Sequence, residues 1–183
     1  EELEQNTLIF FLSDNGGPTR ELTSSNKPLR DGKGSVFEGG LRVPFMAQWP
    51  NRLAKGKVYE QPVISLDIFP TASVAAGGVL TAKAQSKLDG VNLIPFLTDK
   101  IKVAPHEKLF WRQDRRAALR MGNWKLLRNP RRGQSDEWQL YSLANDIAEQ
   151  NNLATENTAK YEELLSAWRE LNAEMVEPLW QRK

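Results

Sequence analysis

Thr7-Leu8-Ile9-Phe10-Phe11-Leu12-Ser13-Asp14-Asn15-Gly16-Gly17-Pro18 is the stretch on which the fold turns. Its first half is an unbroken apolar run, β-branched and aromatic, with the length of a strand. A run without polar alternation predicts a strand covered on both faces, as in a parallel α/β sheet. Its second half is a sharp polar stop in which two glycines and a proline end the strand. The residues before it, Glu1-Glu2-Leu3-Glu4-Gln5-Asn6, read as the tail of a helix. A strand buried on both faces needs neighbours, and no comparable run and no signal-peptide pattern precedes it. The chain is therefore expected to begin in the middle of a larger protein.

After the stop comes a long loop, residues 16–40, with six glycines and two prolines. Loops of that length in compact domains are functional or disordered. Residues 41–49 read as a second strand, with Pro44 placing it near an edge or a bend. Ser65 is expected to cap a helix over residues 66–76, with Asp67 in its first turn and Gly77-Gly78 as its C-cap. The pattern then changes. Residues 109–112, 116–121, 125–128 and 138–141 read as short strands, with Gly122-Asn123 as a hairpin signal. A helix starting at Asn157 or Thr158 carries Tyr161, Leu164, Leu165, Trp168, Leu171 and Met175 at spacings of three and four, and stops before Pro178. The expected architecture is an α/β end piece, residues 1–105, followed by an α+β carboxy-terminal subdomain, residues 106–183, made of a small antiparallel sheet and one long helix.

Composition narrows the function. The chain has 183 residues, 40% hydrophobic and 26% charged, with 25 basic and 23 acidic residues for a net charge of +2. No stretch approaches the roughly 20 apolar residues of a membrane span. The densest basic cluster, Arg112, Arg115, Arg116, Arg120, Arg128, Arg131 and Arg132, is interrupted by apolar and acidic residues, which argues against a nucleic-acid partner. Without cysteine there are no disulfides, thiolate metal sites or cysteine nucleophiles. The single histidine, His106, sits in Pro-His-Glu-Lys and reads as a surface loop residue with no recognisable partner. The tryptophans and tyrosines of the second half read as core.

Chemistry is expected at two places. Asp14 and Asn15 end a strand, where ligands of open α/β sheets gather, and their oxygens suit a hard cation such as Ca²⁺ or Mg²⁺. The same residues also fit an Asn-Gly turn with Asp14 bonded locally. Lys33, between Gly32 and Gly34, can reach an oxyanion as a point charge, although a loop lysine is ordinarily just solvated. Gly-Lys-Gly lacks the spacing of a Walker motif. A metal-binding pair and an anion-binding lysine within about twenty residues of each other suit a sulfate or phosphate ester. The metal polarises the tetrahedral centre while the lysine neutralises charge on the leaving side.

These residues resemble the type I sulfatases of the alkaline-phosphatase superfamily. Ser13 to Gly16 matches a strand ending Ser-Asp-Asn-Gly. Asn26 to Pro44 matches an Asn-x-Pro-Leu-Arg-x-Gly-Lys-Gly-x-x-x-Glu-Gly-Gly-x-Arg-x-Pro loop. Asp67, Pro70 and Thr71 match an Asp-x-x-Pro-Thr helix, and Asp89, Gly90, Asn92, Leu93 and Pro95 an Asp-Gly-x-Ser/Asn-Leu-x-Pro segment. Residues 118–127 resemble the closing hairpin. Tyr141, Leu143, Asp146, Glu149 and Asn152 match a Leu-Tyr-Asp-Leu-x-x-Asp-Pro-x-Glu-x-x-Asn-Leu segment. The chain departs from this pattern at Asp31 (often glycine), Ser142 (often aspartate) and Ile147 (often proline).

The resemblance implies an alkaline-phosphatase-like α/β end piece and an enzyme that hydrolyses aryl or carbohydrate sulfate monoesters. Asp14 and Asn15 would ligate Ca²⁺, Lys33 would be the catalytic and sulfate-binding residue, and Glu38 and Arg42 would brace the loop. The family's nucleophile is a formylglycine made within Cys/Ser-x-Pro-x-Arg, a motif these 183 residues do not contain. It is expected in the amino-terminal part of the same protein, which would be the partner of this part, and the 183 residues alone are expected to be inactive. Family habit places such enzymes in the periplasm or outside the cell. A phosphonate or phosphodiester hydrolase of the same superfamily, and a non-catalytic interaction module, are the alternative readings.

Overall fold

The computed structural model describes residues 3–19, 24–130 and 136–177. Two compact units form, each from two stretches of chain. Glu1–Leu12 joins Pro44–Glu107, and Ser13–Val43 joins Lys108–Lys183.

In the first unit, strand β1 (Ile9–Leu12) pairs antiparallel with β2 (Phe45–Gln48), Phe11 facing Met46 and Leu12 facing Phe45. The apolar run is a strand, and its partner within these residues is antiparallel. Ile9, Phe11 and Met46 are 50%, 65% and 54% exposed. Phe10 turns the other way and meets Phe45 edge-on at 5.9 Å between ring centroids. The first residues of the expected second strand are not strand at all. Glu38–Leu41 winds a helical turn, α1, and Pro44 has no N–H to place in a ladder, so β2 begins only after it.

Helix α2 (Ile68–Ala75) follows a 3₁₀ turn over Ser65–Asp67. Its entry is held by Asp67 rather than by Ser65. The Asp67 carboxylate reaches back to accept from Ile64 N at 2.8 Å and across to accept from Val91 N at 2.8 Å. Thr71 Oγ1 donates to the Asp67 carbonyl oxygen and accepts from Leu93 N at 2.9 Å, so one helical turn fastens the segment around Leu93. Gly77 ends the helix as expected, at φ +86°, with Gly78 N donating to Ser73 O at 2.8 Å. Two short turns follow, α3 (Ala82–Gln85) and α4 (Ile94–Leu97).

His106 departs from its reading. Its side chain is 7% exposed, and Nε2 lies 2.9 and 3.0 Å from the two oxygens of Asp67. The partner is 39 positions away in sequence, which is why local context hides it.

The second unit is a four-stranded antiparallel meander, β3 (Lys108–Gln113), β4 (Arg116–Met121), β5 (Trp124–Arg128) and β6 (Gln139–Ser142), in that order. Gly122, at φ +57°, closes the β4–β5 turn. Helix α5 (Thr158–Ala173) lays Leu164, Leu165, Ala167 and Trp168 on Ala117, Leu119, Leu126 and Leu140. Trp168 is clamped by Trp138 and Phe110, at 4.7 and 6.0 Å between centroids. The opposite face of the sheet carries Ala118, Leu127 and Tyr141, and Val36 and Phe37 of the long loop cover it. The sheet is thus the middle of three layers, buried on both sides.

Candidate functional site

The long loop returns on itself, and its glycines lie where backbone meets backbone. Gly16 N donates to Gly40 O at 3.0 Å, Gly39 N to Arg30 O at 2.9 Å, and Lys33 N to Gly17 O at 3.1 Å. A Cβ on Gly16 would lie 1.6 Å from Gly39 O, so no other residue fits the crossing. Asn26 is the hub. Its Oδ1 accepts from Gly17 N at 3.0 Å, and its Nδ2 donates to Gly17 O at 3.0 Å and Asp31 O at 2.9 Å.

This folding brings the Asp14–Asn15 end of the loop beside the Lys33 end. Lys33 is anchored through its main chain to Gly17, three residues after Asp14. The Asp14 carboxylate and the Lys33 ammonium are exposed, and neither has a hydrogen-bond or ion-pair partner among the described residues. Asn15 spends its amide nitrogen on Gly16 O at 3.1 Å, which leaves Oδ1 as the atom able to ligate. Asp31, at φ +64°, occupies a conformation that glycine takes without strain, and its Oδ1 accepts from Gly32 N at 3.0 Å. Its carboxylate is therefore engaged with the loop backbone.

As a metal site the donors fit calcium in kind, being a carboxylate and a carboxamide oxygen. In number they are part of a shell. Calcium takes about six to eight oxygens, and no group of three or more His, Cys, Asp or Glu side chains is arranged for a metal among the described residues.

What sequence reasoning missed lies under the loop. Lys125 is fully buried, with Nζ 2.7 Å from Glu38 Oε1 and 2.9 Å from Glu149 Oε1. Glu149 Oε2 accepts from Glu38 N, the first amide of α1, at 2.6 Å. Arg120, opposite Lys125 in the β4–β5 register, holds Nη1 3.8 Å from Glu38 Oε2. Arg30 donates to the Glu149 carbonyl oxygen and to Tyr141 Oη, and lies 4.0 Å over the Phe37 ring. Burial pushes the Glu149 carboxyl above its ordinary value, against the pull of Lys125 and the Glu38 amide. Burial likewise raises the Tyr141 phenol, opposed by Arg30. One signal was available in the sequence. In strand period two, Lys125 shares a face with the apolar Leu127, and a lysine on a buried face requires partners. Arg42, by contrast, is exposed.

The Sulfatase family model matches residues 1–79. Arylsulfatase H of Canis lupus familiaris is 39% identical over 117 residues, 60% of this chain and 20% of that protein. A sulfatase of Formosa agariphila is 30% identical over 173 residues, 86% of this chain and 30% of its own. The crystal structure of Ps i-CgsB in complex with k-i-k-neocarrahexaose superposes with a TM-score of 0.81 at 32% identity, covering 98% of this chain and 39% of that one. The chain belongs to the sulfatase family, and what it matches is the carboxy-terminal portion of its members. It spans between 20% and 39% of the length of these three relatives.

Proposed function

We propose that the protein hydrolyses sulfate monoesters, with Asp14 and Asn15 as calcium ligands and Lys33 as the catalytic residue that binds the sulfate group. The observation that carries this reading is the Gly17–Lys33 main-chain bond, which draws an exposed ammonium, without a partner among the described residues, to the same turn as the carboxylate and carboxamide donors. Bound calcium would polarise the sulfuryl oxygens and draw charge from them. Lys33 would neutralise charge on the same group, and its short tether to Gly17 limits how far it can swing. Asn26 keeps that tether by bonding both sides of the turn. The nucleophile, a formylglycine, would be supplied by the amino-terminal part of the same protein. On this reading residues 1–105 finish the catalytic α/β domain, residues 106–183 form its carboxy-terminal subdomain, and the enzyme works in the periplasm or outside the cell. No helix among the described residues is long and apolar enough to cross a membrane. The fold match to a protein solved with a neocarrahexaose supports a carbohydrate sulfate over an aryl sulfate as substrate.

The test uses the full-length protein. Its kcat/KM is measured for a sulfated oligosaccharide, p-nitrophenyl sulfate and a p-nitrophenyl phosphodiester, before and after chelation of calcium. Sulfate-ester turnover that chelation abolishes and added calcium restores is the expected result. Higher kcat/KM for the phosphodiester would overturn the reading.

A further inference from the structure

Lys125 is hard to explain as packing. A lysine is almost never fully buried unless paired, and here one ammonium lies between two carboxylates, with Arg120 3.8 Å from one of them. Replacing such a pair by apolar residues is often neutral or stabilising, so stability alone does not account for it. The position of the two carboxylates offers another account. Glu38 belongs to the long loop, five residues after Lys33, while Glu149 belongs to the turn that follows β6. Glu149 holds the amide of Glu38, and its carbonyl oxygen holds Arg30, three residues before Lys33. Lys125 joins both carboxylates from beneath. Arg116, at the start of β4, adds a hydrogen bond to the carbonyl oxygen of Gly34. The segment carrying Lys33 is thus held on both sides, and the two carboxylates that take part both meet Lys125.

We propose that Lys125 is a positioning residue for Lys33: through Glu38 and Glu149 it sets where the loop presents its exposed ammonium to an anion. This rests on the reading of Lys33 as the sulfate-binding residue. The geometry suits the role because the links from Lys125 to the two carboxylates, at 2.7 and 2.9 Å, and the Glu149–Glu38 bond, at 2.6 Å, are short and buried. A displaced catalytic group is costly even when the displacement is small, with about 1 Å able to reduce rate on the order of a hundredfold.

The experiment is a double-mutant cycle in the full-length protein, using K33A, K125M and K33A/K125M. It is read by kcat and KM for a sulfate ester and by inhibition with inorganic sulfate. K33A alone is expected to lower kcat/KM by about a hundredfold, the size of loss seen when one charge-stabilising donor is removed. K125M is expected to lower it by about tenfold and to weaken inorganic sulfate by a similar factor. In the double mutant the second loss should vanish, because misplacing a side chain that is already absent has no effect. K125R, which keeps the charge, should recover part of the loss. Losses that multiply in the double mutant would overturn the positioning role while leaving the function standing. A K33A variant with unchanged kcat/KM and unchanged sulfate inhibition would instead overturn the reading of Lys33. If K125M does not fold, E149Q takes its place in the same cycle, with the same two outcomes. It removes one of the two carboxylates while keeping an acceptor for Glu38 N.

Discussion

Two lysines ninety-two positions apart show two opposite uses of the same side chain. Lys125 has no exposed surface and touches two carboxylates, whereas Lys33 is exposed with no partner among the described residues. The first sits on a sheet face that the loop must cover, so its charge is answered from within the fold. The second sits at the turn of that loop, between two glycines that carry no side chains of their own. A charge whose partner the fold supplies is part of the architecture. A charge held in a defined place without one is available to a ligand. Substitutions can break this contrast from either end.

The largest effect on stability is expected from Lys125. Exchanging it for methionine leaves Glu38 and Glu149 facing each other without a cation between them. Removing one member of a buried ion pair typically costs about 3–5 kcal/mol. Arg120, 3.8 Å from Glu38, softens the loss for one carboxylate only. Thermal and urea unfolding of the full-length protein should show a large fall in midpoint for K125M. An unchanged midpoint would mean that the carboxylates find water or take up protons without disturbing the loop.

Gly16→Ala comes next. The new methyl would overlap Gly39 O, at 1.6 Å, and the crossing must open to admit it. Overpacking of this kind costs about 1–3 kcal/mol, so the unfolding midpoint should fall by less than in K125M. Because the crossing also sets the loop that carries Lys33, KM for a sulfate ester should rise. Retained KM with a lowered midpoint would separate the crossing from the site.

A smaller effect follows from the Glu149 carboxyl, which burial raises above its ordinary value of 4.5. The folded state then holds a proton that the unfolded chain has already released. Its contribution is present below the unfolded value and is lost as pH rises through the raised folded value. Lys125 and the Glu38 amide oppose the shift, and the Glu38 carboxylate adds to it. Unfolding midpoints measured across the acid to neutral range should decline over that window in the native protein. E149Q, which cannot ionise, should show a flatter profile. Identical profiles would assign the slope to other groups.

Much of this architecture was legible before the structure, for reasons that differ by region. The α5 stripe and the β4–β5 hairpin were readable because 3.6-residue periodicity and a Gly-Asn turn are local signals. The Met175 end of the stripe fails since the helix stops at Ala173, leaving Met175 44% exposed. The antiparallel pairing of β1 with β2 is not legible, because an unbroken apolar run does not say which strand lies beside it. The Asp67–His106 pair and the Lys125 cluster escaped for a shared reason. Each joins residues dozens of positions apart, and periodicity, which puts Lys125 on an apolar face, does not name the partners that answer its charge. Within the loop, Asp14, Asn15 and Lys33 were found by motif, but their approach depends on Asn26 and the Gly16 crossing, which spacing alone does not express.

The smallest structural effect, and the largest functional one, belongs to Lys33→Ala. The side chain is exposed and makes no hydrogen bond or ion pair among the described residues, so its removal breaks no contact with them. Its main-chain bond to Gly17 survives the exchange, since it needs only the amide. The unfolding midpoint should therefore stay where it is, while kcat/KM for a sulfate ester falls by about a hundredfold. K125M should lose most in stability and K33A most in activity, which is the contrast between the two lysines in measurable form. An equal fall in midpoint for both would show that Lys33 contributes to the fold after all. The distinction between an architectural charge and an available one would then be lost at the position where it matters most.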